Sequence, residues 1–134
     1  MTGESRTGGD MARILRAALP VVALVVLGTG CSAASGQDEQ RLSERRENYC
    51  TQLGSWQKTR NAAEEDPPDP NEYDEVGAAA EDVLLAVRPL RDEPAGHGRS
   101  LGEATAAATG NSDPEAEGLA VNYCGEVGFE TLTR

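Results

Sequence analysis

Three cysteines, Cys31, Cys50 and Cys124, stand in a chain that has little else to fold around. From residue 31 onward the sequence holds 8 Leu, 5 Val, 1 Phe and no Ile, so 14 of 104 residues are large aliphatic or Phe. Below roughly 20%, a highly charged chain tends toward disorder. Alanine is abundant, but its methyl group buries little area, and a small domain recovers only part of its chain-ordering entropy through burial. A stable fold on this composition calls for a covalent staple, and 104 residues leave room for one small domain.

Where the cysteines go depends on the N-terminus. Residues 17–27 read Ala-Ala-Leu-Pro-Val-Val-Ala-Leu-Val-Val-Leu, eleven residues without a charge, preceded by Arg13 and Arg16 and followed by small residues. This is the order of an export signal: basic region, apolar region, cleavage region. As a helix the run would rise about 16 Å, roughly half the hydrocarbon thickness of a bilayer, so a stable membrane span is disfavoured. Pro20 weakens it further. The sequence that follows, Leu27-Gly28-Thr29-Gly30-Cys31, resembles the lipobox of bacterial lipoproteins, with Leu27 four residues before the Cys. That resemblance implies cleavage before Cys31, acylation of Cys31, and attachment of the rest of the chain to the extracytoplasmic face of the cell membrane through the lipid. Ordinary secretion with cleavage after Ala34, and an uncleaved anchor, are the alternatives. Met11 reads as a plausible true start, since Met11-Ala12-Arg13 makes a compact basic region. No paired arginines precede the apolar run, so general secretion is the expected route. The expected division is a signal over 1–30, a lipidated Cys and flexible tether over 31–37, and a domain over 38–134.

With Cys31 acylated, Cys50 and Cys124 remain as a pair, and an oxidising compartment favours their disulfide. The loop closed would span about 75 residues, for which chain entropy gives about 4.5 kcal/mol. Two free thiols or a metal site are the alternatives. Neither Cys has a second Cys or a His at ligand spacing, and the only His, His97, lies in Gly96-His97-Gly98, a loop setting.

The periodicity of the domain is helical. Leu42, Tyr49, Leu53 and Trp56, at spacings of 7, 4 and 3, draw one stripe along a helix expected over residues 38–65, ended by Pro67-Pro68. Asp69-Pro70-Asn71-Glu72 then gives an N-cap acid and a Pro at the first helical position. Tyr73, Val76, Ala80, Val83, Val87 and Leu90 follow at alternating spacings of 3 and 4, predicting a helix that ends near Arg88. Residues 91–99 read as a polar loop. Ser100-Leu101-Gly102-Glu103 is a capping-box pattern before a short helix ending at Gly110. A last helix starts around Ser112-Asp113-Pro114 and aligns Ala116, Leu119, Tyr123 and Val127, with Cys124 beside them, until Gly128 stops it. Phe129 and Leu132 are expected to fold back over its end. Nothing alternates with strand period, so the predicted fold is an all-α bundle of three long helices and one short one, tied by the disulfide.

Tyr49-Cys50 in the first helix, an intervening amphipathic helix and Tyr123-Cys124-Gly125 near the end give the chain a resemblance to small secreted actinobacterial lipoproteins of unknown function. The resemblance implies location and a disulfide-tied helical fold, and carries over no catalytic residue. The sequence departs from it at Arg91-Asp92-Glu93-Pro94, where an Ala-Pro turn is expected.

Charge narrows the partners. Residues 31–134 hold 9 basic and 21 acidic side chains, a net −12, and such a surface repels nucleic acid and anionic headgroups. The acidic run Glu64, Glu65, Asp66, Asp69, Glu72, Asp74 and Glu75 offers hard oxygen ligands, but lacks the spacing and turn glycine of a calcium loop, and reads as a solvated acidic segment. Glu72 and Glu75 are helical neighbours able in principle to act as a catalytic carboxylate pair, and His97 stands three residues before Ser100. A solvated helix start and a loop histidine are the plainer readings. Trp56 is a candidate for stacking on a ligand, though its place in the stripe reads as core. Tyr73 and Tyr123 read likewise as core, with their hydroxyls reaching the surface. No catalytic residue, metal or cofactor is assigned. The expectation is a membrane-tethered, non-catalytic interaction or binding module that contacts an envelope protein or a cell-wall component. A small envelope hydrolase and a secreted helical ligand-binding protein are the alternatives.

Overall fold

The computed structural model describes residues 31–65 and 69–131, with the side chains of residues 31–34, 71 and 72 left out. The apolar run 17–27 and Leu132 lie outside the described residues. Contacts divide the chain between Gly36 and Gln37, and the fold below is that of residues 37 onward.

Four helices carry the domain: α1 (Cys31–Glu65), α2 (Pro70–Val87), α3 (Leu101–Asn111) and α4 (Pro114–Glu126). The all-α class is as the periodicity predicts, with α3 the short helix. Among the described residues, no helix is long and apolar enough to cross a membrane. Residues 32–37, expected as a flexible tether, instead continue α1 back to Cys31. That stretch is small and polar but has no Pro to break a helix.

The stripe of α1 is buried as its spacing requires: Tyr49, Leu53 and Trp56 are in the core, and Leu42 packs half-buried against it. Cys50, at the edge of the stripe, meets Cys124 of α4 in a disulfide, S–S 2.08 Å, across 74 residues of sequence. Ala116, Leu119, Ala120 and Tyr123 bury the facing side of α4. The stripe of α2 holds over its second half, where Val83, Val87 and Leu90 are buried, and weakens toward its start, where Val76 and Ala80 are half-buried. Tyr73 departs from the core expectation altogether: it is 63% exposed. Periodicity places it at the margin of the buried arc, and the core does not extend as far as the first turn.

Pro89 ends α2, and a single 3-10 turn over Arg88–Leu90 seats Leu90 in the core. The segment 91–99, expected as a loop, forms a miniature antiparallel hairpin, β1 (Pro94–Gly96) and β2 (Arg99–Ser100). Its turn needs left-handed backbone at three successive residues, with φ of 100°, 53° and 74° at Gly96, His97 and Gly98. Glycine supplies two of these without strain. Strands of three and two residues are too short to show alternation, which is why period-2 reading misses them. The hairpin is clipped to α3 by Leu101 N–H to Glu93 O at 2.7 Å and Gly102 N–H to Arg91 O at 3.0 Å. At that crossing a Cβ on Gly102 would stand 3.2 Å from the Arg91 carbonyl oxygen, so a larger residue would fit only if Arg91 gave way by a few tenths of an ångström.

Both later helices start on the caps the sequence announces. Ser100 Oγ accepts from Glu103 N–H at 3.3 Å while Glu103 Oε2 accepts from Ser100 N–H at 2.9 Å. Asp113 Oδ1 accepts from Glu115 and Ala116 N–H at 3.0 and 3.2 Å. These backbone donors hold the Glu103 and Asp113 carboxyls below their usual range, with Arg99 adding to the effect at Asp113. α3 runs past the expected stop at Gly110. The chain reverses instead at Ser112, with φ of 53°, because Asp113 must already be extended to cap α4 with Pro114 at its first position.

Opening the Cys50–Cys124 bond is expected to cost about 4 kcal/mol of stability from loop entropy. Urea unfolding of the oxidised protein against a Cys50→Ala, Cys124→Ala double variant measures it. Equal midpoints would show that the bond contributes nothing.

Candidate functional site

The polar side chains buried between the helices form two clusters, one on either side of the disulfide along α1. In the first, Arg46 of α1 reaches across to Glu93, just before β1, with Nη2 2.9 Å from Oε2. Tyr123 of α4 donates its hydroxyl proton to the same Glu93 oxygen at 2.7 Å and accepts from Arg46 Nε at 3.2 Å. The Tyr123 hydroxyl, expected at the surface, is therefore enclosed by an ion pair. Burial, and the Glu93 carboxylate that takes its proton, push it up to about 12.

Tyr123 also meets Tyr49 edge to face, with ring centroids 6.1 Å apart. Thr105 Oγ1 gives its one proton to Leu101 O at 2.7 Å, so the 2.7 Å bond between Tyr49 and Thr105 has the tyrosine as donor. Burial raises the Tyr49 hydroxyl well above its ordinary range. Through these contacts α1, α3, α4 and the segment leading into β1 are joined.

In the second cluster, Arg60 of α1 forks onto Glu117 of α4, with Nη1 to Oε2 at 2.7 Å and Nη2 to Oε1 at 3.0 Å. Gln57 Nε2 donates to Glu117 Oε1 at 2.7 Å. A carboxylate only accepts, so this bond fixes the orientation of the amide and leaves Gln57 Oε1 buried without a partner. The Arg60 guanidinium lies over Trp56, 4.5 Å from the ring centroid. Trp56 is 2% exposed, with one ring face under the guanidinium, and so offers no open face for stacking on a ligand. The core reading of this residue stands.

The remaining candidates separate. His97 Nδ1 stands 3.3 Å from Glu115 Oε1, while the Ser100 hydroxyl is engaged in capping α3. Glu75 is exposed on α2, and the Glu72 side chain lies outside the described residues. Among the described residues, no three His, Cys, Asp or Glu side chains come together in a way that holds a metal ion. Cys31 begins α1, its side chain also outside the description. Two shallow clefts flank the end of the described chain. One, of about 380 Å³, is lined by Val121, Gly125 and Phe129, and the other, of about 430 Å³, by Gly54, Ser55 and Lys58, with Glu130 and Thr131 on both. Phe129 packs half-buried against the core, as expected.

α2 differs from the other helices. Leu84 and Leu85 are 38% and 51% exposed and, with Tyr73, are the large hydrophobic side chains that the described surface displays. Periodicity read α2 for its buried stripe and passed over Leu84-Leu85, which both fall outside that stripe. It also passed over Arg46, Gln57, Arg60, Glu93 and Glu117, because hydrophobic spacing carries no information about polar partners. No protein-family model, no curated protein and no solved structure matches the chain.

Two measurements test the clusters. Glu117→Ala leaves the nearly enclosed Arg60 guanidinium with only the exposed Glu64 at 3.8 Å and is expected to cost about 3 kcal/mol. Arg60→Met with Glu117→Leu is expected to restore most of that loss; a double variant as unstable as the single one would contradict a desolvated pair. For Tyr123, the folded state keeps the proton up to about pH 12, while the unfolded state releases it near its ordinary value of about 10. The stability it contributes is thus full below about pH 10 and falls as pH rises through about 12. Tyr123→Phe should lessen that alkaline decline in pH-dependent unfolding, the remainder belonging to Tyr49, whose hydroxyl burial also raises.

Proposed function

We propose that this protein is an extracytoplasmic lipoprotein, tethered to the cell membrane through a lipid on Cys31, that works as a non-catalytic interaction module. Its partner on this reading is an envelope protein or a cell-wall component. One structural observation carries the module part: Tyr73, Leu84 and Leu85 are displayed to solvent on one helix, in a chain with very few large apolar side chains to spend. Exposed apolar side chains grouped on one element and surrounded by polar residues mark contact surfaces.

The polar chemistry of the interior points the same way. The buried Arg, Glu, Gln and Tyr groups are bonded to one another across helices, and Ser100 and Asp113 serve as helix caps. These are structural uses. The address is supported by the sequence: a basic region, an eleven-residue apolar run and a lipobox-like segment ending at Cys31. The disulfide between the other two cysteines is what an oxidising compartment permits.

Mass spectrometry of the protein recovered from membranes tests the address directly. The expected product begins at Cys31 with an acyl mass on that residue and lacks two hydrogens at Cys50 and Cys124. Cys31→Ser should abolish the acyl mass and shift the protein out of the membrane fraction. An unmodified thiol at Cys31 in the native protein would remove the lipoprotein reading.

A further inference from the structure

The surface of α2 carries more than exposed leucines. Tyr73 and Leu84 stand eleven residues apart, within roughly 20° of each other around the helix and about 16 Å apart along it. Leu85 lies about 100° further round. Asp74 and Glu81 fall in the arc between these apolar positions, and Asp82 lies just beyond Leu85; all three are exposed. The ion pairs between described residues engage Asp38, Glu64, Asp92, Glu93, Asp113, Glu115 and Glu117, and none involves a carboxylate of α2. Among the described residues, the exposed Arg88, just past the end of α2, is the cation nearest these positions in sequence.

Nor does any hydrogen bond between described side chains fix α2 to the rest of the domain; the helix is held by Val83, Ala86 and Val87 and by half-buried Val76, Ala79 and Ala80. Each of the other helices has at least one such tie, through Arg46, Tyr49 and Arg60 on α1, Thr105 on α3, and Glu117 and Tyr123 on α4. Asp74 and Glu81 therefore lie between apolar anchors with Asp82 beside them, and among the described residues none of the three is ion-paired, with Arg88 or with any other cation.

We infer that this face of α2 docks a cationic amphipathic segment of another polypeptide, one with an aliphatic seam flanked by Lys or Arg. The inference rests on the interaction-module reading and names its surface and partner chemistry. Charge complementarity selects the occupant. A second copy would set carboxylates against carboxylates, and a nucleic acid or an anionic lipid surface would meet the same repulsion from a chain of net charge −11. A partner helix of about three turns matches the 16 Å between Tyr73 and Leu84, and its seam would cover those side chains as helices in grooves do.

The test uses the full-length protein in neutral-lipid nanodiscs, with empty nanodiscs as the blank. The probe is a synthetic helical peptide with a Leu seam flanked by Lys, alongside one carrying Glu in place of Lys and one with the Leu positions scrambled. The Lys peptide alone should bind. Leu84→Ala with Leu85→Ala should weaken it about tenfold or more. Glu81→Gln with Asp82→Asn should weaken it several-fold and flatten its salt dependence. The same charge change on α1, Asp38→Asn with Glu39→Gln, should leave affinity unchanged.

The charge variants lie on exposed side chains and should leave the melting temperature unchanged; Leu84 is 38% exposed, so if the leucine variant melts early it is replaced by Tyr73→Ser at the same face. No binding of the Lys peptide, equal loss from the α1 and α2 charge variants, self-association that Leu84→Asp abolishes, or tighter binding to phosphatidylglycerol vesicles would each overturn the inference. The two failures are distinguishable: an unacylated Cys31 with intact peptide binding removes the tether and keeps the site, whereas an acylated protein indifferent to the peptide does the reverse.

Discussion

The bond between Cys50 and Cys124 joins the middle of the longest helix to the last one, and the packing of the domain is organised around that seam. On one side of it Tyr49 and Tyr123 meet edge to face under the Arg46–Glu93 pair, and on the other Arg60 forks onto Glu117 beside Trp56. A core with so few large aliphatic side chains cannot fix the register of two helices by shape alone, since alanine faces slide past one another at little cost. A disulfide fixes one point of contact. Two polar clusters, about four turns apart along α1 from Arg46 to Arg60, then remove the remaining freedom to rotate or translate.

These clusters give specificity more than net stability. Burying an arginine with a carboxylate costs desolvation that the pairing recovers only when the geometry is good, and apolar replacements of similar volume are often as stable. What the pairing does provide is a penalty for arrangements that separate Arg60 from Glu117, since both side chains are close to nine-tenths enclosed. Gln57 illustrates the cost: its amide is oriented by Glu117, and its carbonyl oxygen is left buried without a donor.

How much of this was legible beforehand follows from what each signal measures. Helix periods and caps are local, and they placed the four helices, the Ser100 cap, the start of the last helix around Ser112-Asp113-Pro114, and the burial of Tyr49, Leu53 and Trp56; the pairing of Cys50 with Cys124 came from counting cysteines. The hairpin was missed because its information lies in Gly96-His97-Gly98, a turn signal flanked by strands too short to alternate. The polar clusters were missed for a different reason: Glu93 and Glu117 look like ordinary surface acids in sequence, and only the fold shows that Arg46 and Arg60 face them. Tyr73 was misplaced because a stripe of correct spacing does not say where the core ends. Leu84-Leu85 carried a usable signal, since at about 100° per residue both positions fall on the side of α2 away from Val76, Ala80, Val83 and Val87.

The same division separates the part of the molecule that holds it together from the part available to do something else. Polar ties link α1, α3, α4 and the hairpin, and each fixes an orientation that a partner could alter only by exposing a buried charge or hydroxyl. α2 carries no such tie between described side chains, so a partner on its outer face disturbs no buried hydrogen bond and meets carboxylates already in water. Desolvating those carboxylates is compensated only by cations the partner brings, while covering Tyr73, Leu84 and Leu85 adds apolar burial that the chain itself leaves unused. A surface acidic and apolar at once is thus selective by construction: anionic surfaces are refused by charge, and hydrophilic polycations gain nothing from the leucines. On the docking proposal, a ligand would have to satisfy both terms in one stretch of chain.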